Sequence, residues 1–469
     1  MPDVLNMESV GGRADLALRY DRRAVTSGIV HLGVGNFHRA HQAVYIDDVL
    51  ASDPAWGITG VSLRSAAVRD ALAPQDWLYS VFEKRSDETK LRIVGALKRV
   101  LHAPSEGKAV LDTMAALETK LVTLTISEKG YGLASDQRDL DVTRDDIAHD
   151  LANPAAPKTA VGYTCAALDA RRLAGVQPFT CISCDNLPSN GQKLRRLVLA
   201  FAERTNLDLA RWIERECAFP STMVDRIVPA TTDSDCEQAF ELLDLRDAWP
   251  VMTEPFKQWV IEDWFCNDRP KLENVGAEMV SDVEPYELMK LRMLNGAHSL
   301  LAYLGQLRGC ETVADAMADH EISRRVRDLW TYEIPDTVPL PNEQLSSYAK
   351  ALDERFANTA LKHRTKQIAV DGSQKVPQRF LAPLMERAAN DLPVPQLAGG
   401  VAAWLAYIWS SMGSVDDPFG TQFETMVRGC GTRDAFFEAM LNDTSIFAGL
   451  ADDQQFKQWV LSAVKSLPV

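Results

Sequence analysis

The stretch GIVHLGVGNFHRAH (28–41) decides the fold. Its first half is rich in Val, Ile and Leu, which predicts a buried β-strand, and glycines follow at positions 33 and 35. A dinucleotide-binding fingerprint has the form G-x-G-x-x-G, and here His38 occupies the third glycine position, so the match is incomplete. Gly33 still permits a tight turn, and Gly35 still lets a pyrophosphate approach backbone N–H groups at the start of a helix. The stretch therefore indicates either a nucleotide-binding turn or an ordinary β–α turn.

Further β-rich runs alternate with helical patterns in the first half of the chain. The alternation predicts βαβ units and a mostly parallel sheet of the Rossmann type. From about Glu284 onward the pattern is helical, so the predicted class is α/β plus all-α. The expected domains are a dinucleotide-binding domain at 1–280 and an all-helical substrate-binding domain at 281–469, with 205–280 mixed in character. The predicted strands are GIVHLGVG (28–35), WGITGVSL (56–63), KLVTLTIS (120–127) and PFTCISCDN (178–186).

Composition excludes several classes of function. The chain has 469 residues, 46% of them hydrophobic, and a formal net charge of −15, which disfavours binding to nucleic acid. The N-terminus lacks the apolar core of a signal peptide, and no apolar run reaches the roughly 20 residues of a membrane span. The eight cysteines, including the CISC pair at 181–184, are typical of reduced thiols. We expect a cytoplasmic protein that acts on a small molecule.

The end of the second predicted strand bears on cofactor choice. NAD enzymes usually carry an acid there, which binds the ribose 2′-hydroxyl, but LRSAA (63–67) contains none. Arg64 or Arg69 could instead meet a 2′-phosphate, so the expected cofactor is NAD with NADP open.

Three histidines near the glycine turn raise the question of a metal site. His31, His38 and His41 are close in sequence, yet no carboxylate or cysteine is placed to complete a ligand set. We therefore predict no metal.

A second polar constellation lies in the helical half, in EPYELMKLRMLNGAHSLLAYLG (284–305). With Lys290 at zero and about 100° per residue, Glu287 falls near 60°, His298 near 80° and Asn295 near 140°. A buried lysine has a pKa lowered toward neutrality and can exchange a proton with a hydroxyl group, while an asparagine can stabilise developing negative charge on oxygen.

The same arc is also compatible with a polar stripe that faces solvent or a seam between domains. A second donor would favour a catalytic site. Asn186, in CDN (184–186) after the fourth strand, is placed at the carboxyl end of a parallel strand, where doubly wound folds bind ligands.

Taken together, these motifs are identified as those of a known family. The chain resembles the polyol-specific long-chain dehydrogenase/reductase family, which includes mannitol 2-dehydrogenases, arabinitol dehydrogenases and hexuronate reductases, over about residues 28 to 440. The matching segments are GVGNFHRAHQAVY (33–45), LTISEKGY (124–131), SCDNLPSNG (183–191), FPSTMVDRIVP (219–229), EPFKQWVIED (254–263) and KLRMLNGAH (290–298).

The resemblance implies a zinc-independent enzyme whose active site lies in the cleft between a Rossmann-type domain and a helical domain. Lys290 would be the general acid/base, Asn186 and Asn295 the oxyanion donors, His298 the substrate-orienting residue, and Glu287 part of a proton route. Substrate contacts would come from Asp225, Lys375 and Arg364, and cofactor contacts from Gly33, Gly35, Phe37, Arg39, Arg64 and Glu128. The assembly would be a monomer or small homo-oligomer.

Two departures from the family pattern concern the substrate and the cofactor. Some mannitol dehydrogenases carry an arginine where this chain has Gln367, and HRTKQIAVDGSQKVPQR (363–379) looks closer to the fructuronate reductase branch. Arg364, Lys366 and Arg379 could meet a substrate carboxylate or could be solvated surface. The second departure is the acid-free LRSAA segment.

The leading hypothesis is hydride transfer between a nicotinamide and a secondary alcohol or ketone of a linear sugar derivative. Fructuronate reduction to mannonate is the first choice, and mannitol 2-dehydrogenase or another polyol dehydrogenase, such as arabinitol dehydrogenase, is the runner-up. Two hypotheses from other classes are a Schiff-base lyase with Lys290 as nucleophile and a dinucleotide-sensing protein without turnover.

Overall fold

The strand before the glycine turn occupies the centre of a five-stranded sheet in the computed structural model, which describes residues 3–134, 139–360 and 362–467. The chain divides into two compact units, Met1–Glu284 and Pro285–Val469. The strands of the first unit are β1 (Ile29–Leu32), β2 (Ile58–Ser62), β3 (Tyr79–Lys84), β4 (Thr89–Val94), β5 (Leu97–His102), β6 (Leu121–Leu124), β7 (Thr180–Ser183), β8 (Thr222–Asp225), β9 (Val251–Thr253), β10 (Gln258–Glu262) and β11 (Glu278–Val280).

The main sheet has the order β5-β2-β1-β6-β7, and all its pairings are parallel. β1, β2, β6 and β7 are buried along their whole length, which explains their continuous apolar and β-branched sequences. The chain runs outward from β1 through β2 to β5 and then returns to the other side of β1 with β6. The strand order therefore reverses between β1 and β6, and ligands of such sheets bind at the carboxyl ends of the strands beside that point.

The strand register brings the ends of β1, β6 and β7 to one edge. Leu32 pairs with Leu124, and Leu124 pairs with Ser183. The segments that follow these residues, which contain Gly33, Thr125 and Cys184, are consequently neighbours at the carboxyl edge. The predicted parallel Rossmann-type sheet is confirmed.

Sequence patterns did not reveal every strand of the first unit. β5 lies at the edge of the main sheet, where Lys98 and Arg99 interrupt its apolar run and are tolerated because one side is open. Two three-stranded sheets, β11-β10-β8 and β4-β3-β9, were also missed. The helices of this unit, including 3₁₀ turns, are Met7–Gly11, Asn36–Ala40, Gln42–Val49, Ala67–Leu72, Ala73–Gln75, Ala103–Ala115, Glu128–Tyr131, Asp145–Ala152, Ala160–Leu173, Asn190–Thr205, Leu207–Glu216, Asp233–Leu243 and Leu272–Val275.

The second unit is helical throughout its described residues, apart from one isolated bridge between Thr312 and Arg364. Its helices include three π turns, Lys290–Asn295, Leu329–Glu333 and Pro377–Leu381. The other helices, the first of which begins at the unit boundary, are Glu284–Met289, Gly296–Arg308, Val313–Ala318, His320–Asp328, Pro335–Thr337, Asn342–Phe356, Thr365–Ile368, Gly372–Val376, Ala382–Ala388, Pro395–Ser410, Gly420–Gly429, Arg433–Leu441, Thr444–Phe447, Ala448–Asp452 and Gln454–Val464.

The largely buried helix Pro395–Ser410 of this unit begins at a buried carboxylate. The Oε1 and Oε2 atoms of Glu333 accept the backbone N–H groups of Gln396 and Leu397 at 2.6 and 2.9 Å. Glu333 is 2% exposed, and this burial raises its pKa to about 7. Among the described residues, no helix combines the length and apolar character that a bilayer crossing requires.

Candidate active site

The turn after β1 uses two glycines in different ways. Gly33 has φ +97°, and a Cβ atom there would lie 2.0 Å from the carbonyl oxygen of Thr125, the residue after β6. Gly35 has φ −85°, is exposed, and would place a Cβ atom in open space. Gly33 therefore allows the two strand ends to approach each other, and Gly35 leaves room beside the backbone. This arrangement fits the pyrophosphate of a dinucleotide.

The histidine in β1 joins neighbouring strand ends inside the protein. His31 Nδ1 lies 2.7 Å from Thr123 Oγ1, and His31 Nε2 lies 2.8 Å from Thr125 Oγ1. Thr125 Oγ1 in turn donates to the carbonyl of Gly33 at 2.7 Å. Burial lowers the pKa of His31 to about 3, so the ring is neutral. His31 thus stabilises the glycine turn from within.

The other two histidines of the turn are also buried. The His38 ring stacks on His31 with centroids 3.3 Å apart, and His41 Nε2 lies 2.8 Å from the Gln258 carbonyl. Burial lowers the pKa of both rings, that of His41 to about 3. Within the described ranges, no group of three His, Cys, Asp or Glu side chains is placed to hold a metal ion.

Arg39, which the sequence suggested as a cofactor contact, has hydrogen-bond partners inside the first unit. Its side chain is completely buried, and its guanidinium donates to the Trp249 carbonyl at 2.6 Å and to Asn36 Oδ1 at 2.7 Å. The sequence suggested a cofactor-binding role because Arg39 follows the glycines, but these internal bonds make it a support of the helix after the turn. Phe37 is half-buried and stacks on His41, with ring centroids 5.1 Å apart.

The two arginines after β2 have different environments. Arg69 pairs with Asp70 at 2.8 Å and with Glu106 at 3.2 Å. Arg64 is exposed two residues after the strand ends. Of the two candidates for a 2′-phosphate contact, Arg64 is therefore the one without a carboxylate among the described residues. Glu128 is exposed in the 3₁₀ turn after β6.

A carboxylate that sequence reasoning passed over connects the ends of β6 and β7. Asp185 accepts the backbone N–H groups of Ile126 and Ser127, both at 2.9 Å, and the Tyr131 hydroxyl at 2.7 Å. The Tyr131 oxygen lies 2.6 Å from Ser183 Oγ. Burial raises the pKa of Asp185, and the donated hydrogen bonds act against that rise. Asp185 belongs to the CDN motif, of which the sequence analysis singled out only the neighbouring Asn186.

Asn186 and Asp225 occupy different positions in the first unit. Asn186 is exposed directly after Asp185, at the carboxyl edge of the main sheet. Asp225 ends β8 in a three-stranded sheet, opposite Gln258, and is only 3% exposed. The carboxyl edge of the main sheet thus carries the glycine turn, Arg64 and Asn186, while Asp225 lies on a separate strand.

The helix with the polar constellation is not a uniform α-helix. Residues Lys290–Asn295 form a π turn, in which the N–H of Gly296 donates to the carbonyl of Leu291, five residues earlier. A π turn rotates less per residue than an α-helix, so the angle between Lys290 and Asn295 is smaller than the predicted value of about 140°. The expected rotation of about 100° per residue was therefore wrong for this segment. With the π turn, the side chains of Lys290 and Asn295 lie closer to one face of the helix.

The burial of the four side chains also differs from the expectation. Glu287, Lys290 and Asn295 are half-buried, whereas His298 is only 7% exposed. The lysine is therefore open enough to meet a ligand. His298 packs against Phe356, with ring centroids 4.5 Å apart, and edge-on against His363 at 5.0 Å.

His363 was not singled out from the sequence. Burial lowers its pKa, so it contacts His298 as a neutral ring. No sequence spacing connects these two histidines, because the contact joins a helix to a loop residue that is distant in the chain.

The cations near residue 370 are distributed unevenly. Lys375 Nζ donates to the carbonyls of Ile368 and Val370 at 3.3 and 2.7 Å, and burial lowers its pKa. Arg364 is exposed and lies at the isolated bridge to Thr312. Arg379 contacts the constellation: its Nη1 donates to the Asn295 carbonyl at 3.1 Å and to Ser299 Oγ at 2.8 Å.

Comparison with known proteins identifies the family. Residues 27–274 match the Mannitol dehydrogenase Rossmann domain, and residues 282–468 match the Mannitol dehydrogenase C-terminal domain. The chain therefore belongs to the mannitol dehydrogenase family and is an oxidoreductase that acts on CH–OH groups. The resemblance inferred from the motifs is confirmed, and the Schiff-base lyase hypothesis loses its support.

Individual relatives are similar over most of their length. D-mannonate oxidoreductase of Escherichia coli (strain K12) is 45% identical over 394 residues, covering 83% of this chain and 81% of the relative. A Pseudomonas fluorescens mannitol 2-dehydrogenase, solved as a ternary complex with NAD and D-mannitol, has a TM-score of 0.81 and 35% identity, with 99% and 96% of the two chains covered. A substrate-free D-sorbitol dehydrogenase has a TM-score of 0.91 and 32% identity, with 98% and 97% covered.

Proposed function

We propose that this chain catalyses hydride transfer between NAD and a secondary alcohol or ketone of a linear sugar derivative, with the fructuronate/mannonate pair as the substrates. Similarity to a D-mannonate oxidoreductase at 45% identity supports the sugar-acid assignment. Mannitol and fructose are the second candidate pair, which is supported by similarity to the mannitol 2-dehydrogenase complex.

The cofactor assignment is supported by the glycine turn. Open space at Gly35 and the close approach at Gly33 suit a pyrophosphate at the carboxyl edge of the sheet. The exposed Arg64, together with the absence of an acid in 63–67, is compatible with NADP as well as NAD. A bound nicotinamide cofactor would supply or accept the hydride.

Lys290 exchanges the proton in this proposal. As an ammonium group it gives a proton to the substrate oxygen during reduction, and as a neutral amine it takes the hydroxyl proton during oxidation. The half-buried Glu287, one helical turn earlier, provides a route for the proton between Lys290 and solvent. The proposal assigns this proton transfer to the lysine and not to a metal ion, so the proposed reaction is metal-independent.

The amides of Asn186 and Asn295 donate to the substrate oxygen as it gains negative charge. His298, held by Phe356 and His363, orients the substrate hydroxyl. Asp225 and Lys375 are assigned to the distal part of the substrate, as is Arg364.

The single observation that carries the proposal is the π turn over Lys290–Asn295, which combines a proton donor and an amide on one wide helical turn. The test is a panel of kcat/KM values for fructuronate, tagaturonate, fructose, mannitol and arabinitol with NAD(H) and NADP(H). Preference for fructuronate supports the first assignment, and preference for mannitol or fructose supports the second. Cofactor binding without turnover of any of these would instead indicate a dinucleotide sensor. Location in the cytoplasm and the state of assembly, monomer or small homo-oligomer, stay predictions.

A further inference from the structure

The guanidinium of Arg379 is a half-buried charge without an ionic partner among the described residues. Both of its hydrogen bonds within the described residues use Nη1, to the Asn295 carbonyl and to Ser299 Oγ. Two buried arginines of the same unit have carboxylate partners: Arg292 pairs with Glu386 at 2.6 Å, and Arg387 pairs with Asp336, while the buried Arg325 donates to the Ser466 carbonyl. No described carboxylate lies within ion-pair distance of Arg379, which sets it apart from these two.

The surroundings of Arg379 show that this charge lacks compensation. Burial lowers its pKa to about 10, and the neighbour that acts against this change is the Tyr303 hydroxyl rather than a carboxylate. Removing water from an unpaired cation is unfavourable for the folded protein. Such a charge is expected to be retained where an anion supplies the missing partner.

A second cation lies close to Arg379. Lys375 is one turn earlier in the chain; burial and then the charge of Arg379 lower its pKa, while Asp371 and Asp417 act in the opposite direction. The Lys375 amine is occupied by the carbonyls of Ile368 and Val370, so it contributes mainly positive potential. Arg379, in contrast, still has donors on Nη2 and Nε. These two atoms form the flat edge of the guanidinium that binds a carboxylate through two parallel hydrogen bonds.

We infer that Arg379 receives the carboxylate of a linear sugar-acid substrate and thereby selects sugar acids over uncharged polyols and ketoses. The inference rests on the proposed function, because the contact between Arg379 Nη1 and the Asn295 backbone relates the cation to the residue assigned to the reacting oxygen. A carboxylate bound at Arg379 would thus belong to the same substrate molecule whose reacting oxygen meets Asn295.

The test compares a charged and an uncharged substrate of equal carbon number. kcat/KM is measured for D-fructuronate and D-fructose with NADH in the wild type, Arg379→Gln, Arg379→Lys and Arg428→Gln. Arg428 is a surface arginine of the same unit with a 75% exposed side chain and serves as the control for loss of one positive charge. Arg379→Gln should lower kcat/KM for fructuronate by about 10-fold or more, since hydrogen bonds to charged groups have this effect. The fructose value should change by less than about threefold.

The outcomes distinguish a failure of the Arg379 inference from a failure of the proposed function. Equal losses on both substrates would overturn the inference and make Arg379 a structural support of Asn295, with the oxidoreductase assignment intact. A wild type that reduces neither substrate would contradict the proposed function itself, and the inference with it. If Arg379→Gln unfolds, as judged by circular dichroism, Arg379→Lys decides. It keeps the charge but not the flat edge, so a loss confined to fructuronate is expected, and no such difference would count against the carboxylate contact.

Discussion

The carboxylate of Asp185 binds the backbone of Ser127 at 2.9 Å, and Ser127 has a conformation that is almost restricted to glycine. Its φ and ψ are 61° and 162°. A non-glycine residue in this region costs roughly 1–3 kcal/mol and persists only where neighbouring interactions hold it. The hydrogen bonds from Ile126, Ser127 and Tyr131 to one carboxylate provide that hold.

This relationship predicts an energetic coupling between the two positions. Asp185→Asn should lower the free energy of unfolding by about 1–3 kcal/mol, because an amide nitrogen replaces one of the oxygens that accept these hydrogen bonds. Ser127→Gly should raise it by about 1 kcal/mol by relieving the backbone. In the double variant the loss at Asp185 should be smaller than in the single variant, as measured by urea unfolding. Strictly additive effects would show that Asp185 does not maintain the Ser127 conformation.

The two glycines of the β1 turn should respond differently to alanine. Gly33→Ala places a Cβ atom 2.0 Å from the Thr125 carbonyl at φ +97° and should destabilise the whole first unit. Gly35→Ala meets no atom within 4 Å and should unfold like the wild type. Its NAD affinity should nevertheless fall, because the methyl group fills the space assigned to the pyrophosphate. Thermal unfolding and NADH fluorescence titration measure the two effects, and unaltered NADH binding by Gly35→Ala would remove the turn from the cofactor site.

Lys290→Ala should abolish turnover and leave cofactor affinity nearly unchanged. General acid–base catalysis contributes about 10²- to 10⁴-fold, so kcat should fall by that amount. Lys350→Ala, which removes an exposed lysine from the same unit, is the matched control. The measurements are single-turnover rates and the Kd of NADH, and near-normal activity in Lys290→Ala would contradict the acid/base assignment.

The raised pKa of Glu333 leads us to expect a free energy of unfolding that depends on pH. Its folded pKa of about 7 exceeds the ordinary value of 4.5, so the folded state retains the proton more strongly than the unfolded state. The contribution to stability is present below about pH 4.5 and is lost as the pH rises through 7, by up to about 3 kcal/mol. Glu333→Gln lacks this term. Its stability relative to the wild type should therefore increase from pH 5 to pH 8 in urea unfolding, and a constant difference would mean that the carboxyl group titrates normally.

Removal of metal ions should not affect activity. The proposed chemistry assigns proton transfer to Lys290 and oxygen stabilisation to the amides of Asn186 and Asn295, which need no metal. Dialysis against a chelator should leave kcat/KM unchanged. Activity that disappears on dialysis and returns with zinc would overturn this prediction.

Local patterns were sufficient to predict four strands of the main sheet, because β1, β2, β6 and β7 are buried on both faces and therefore have apolar sequences. The edge strand β5 was missed because its position allows charged residues. Arg39 shows a related limit: sequence shows that it follows the glycines, but not that its side chain turns inward to Trp249.

The helical constellation shows a different limit. Residue types at Lys290, Asn295 and His298 pointed to chemistry, but their angular arrangement depends on backbone hydrogen bonding that spacing does not specify. A constant rotation of about 100° per residue does not describe the π turn. Contacts between distant segments, such as His298 with His363 and Arg379 with Asn295, are products of tertiary packing.

The π turn at Lys290–Asn295 also affects how the number of residues in this helix determines the directions of its side chains. Such a turn accommodates one residue more than an α-helical turn would over the same stretch. Deleting a single residue between positions 291 and 294 would let an ordinary helix form, with little change in composition. Because the deletion removes the extra residue of the wider turn, His298 and everything after it would keep nearly the same direction relative to Lys290. A gap of one residue at this point in a related sequence would thus be compatible with the same arrangement of side chains, whereas an ordinary helix through all of these residues would rotate His298 away from Lys290.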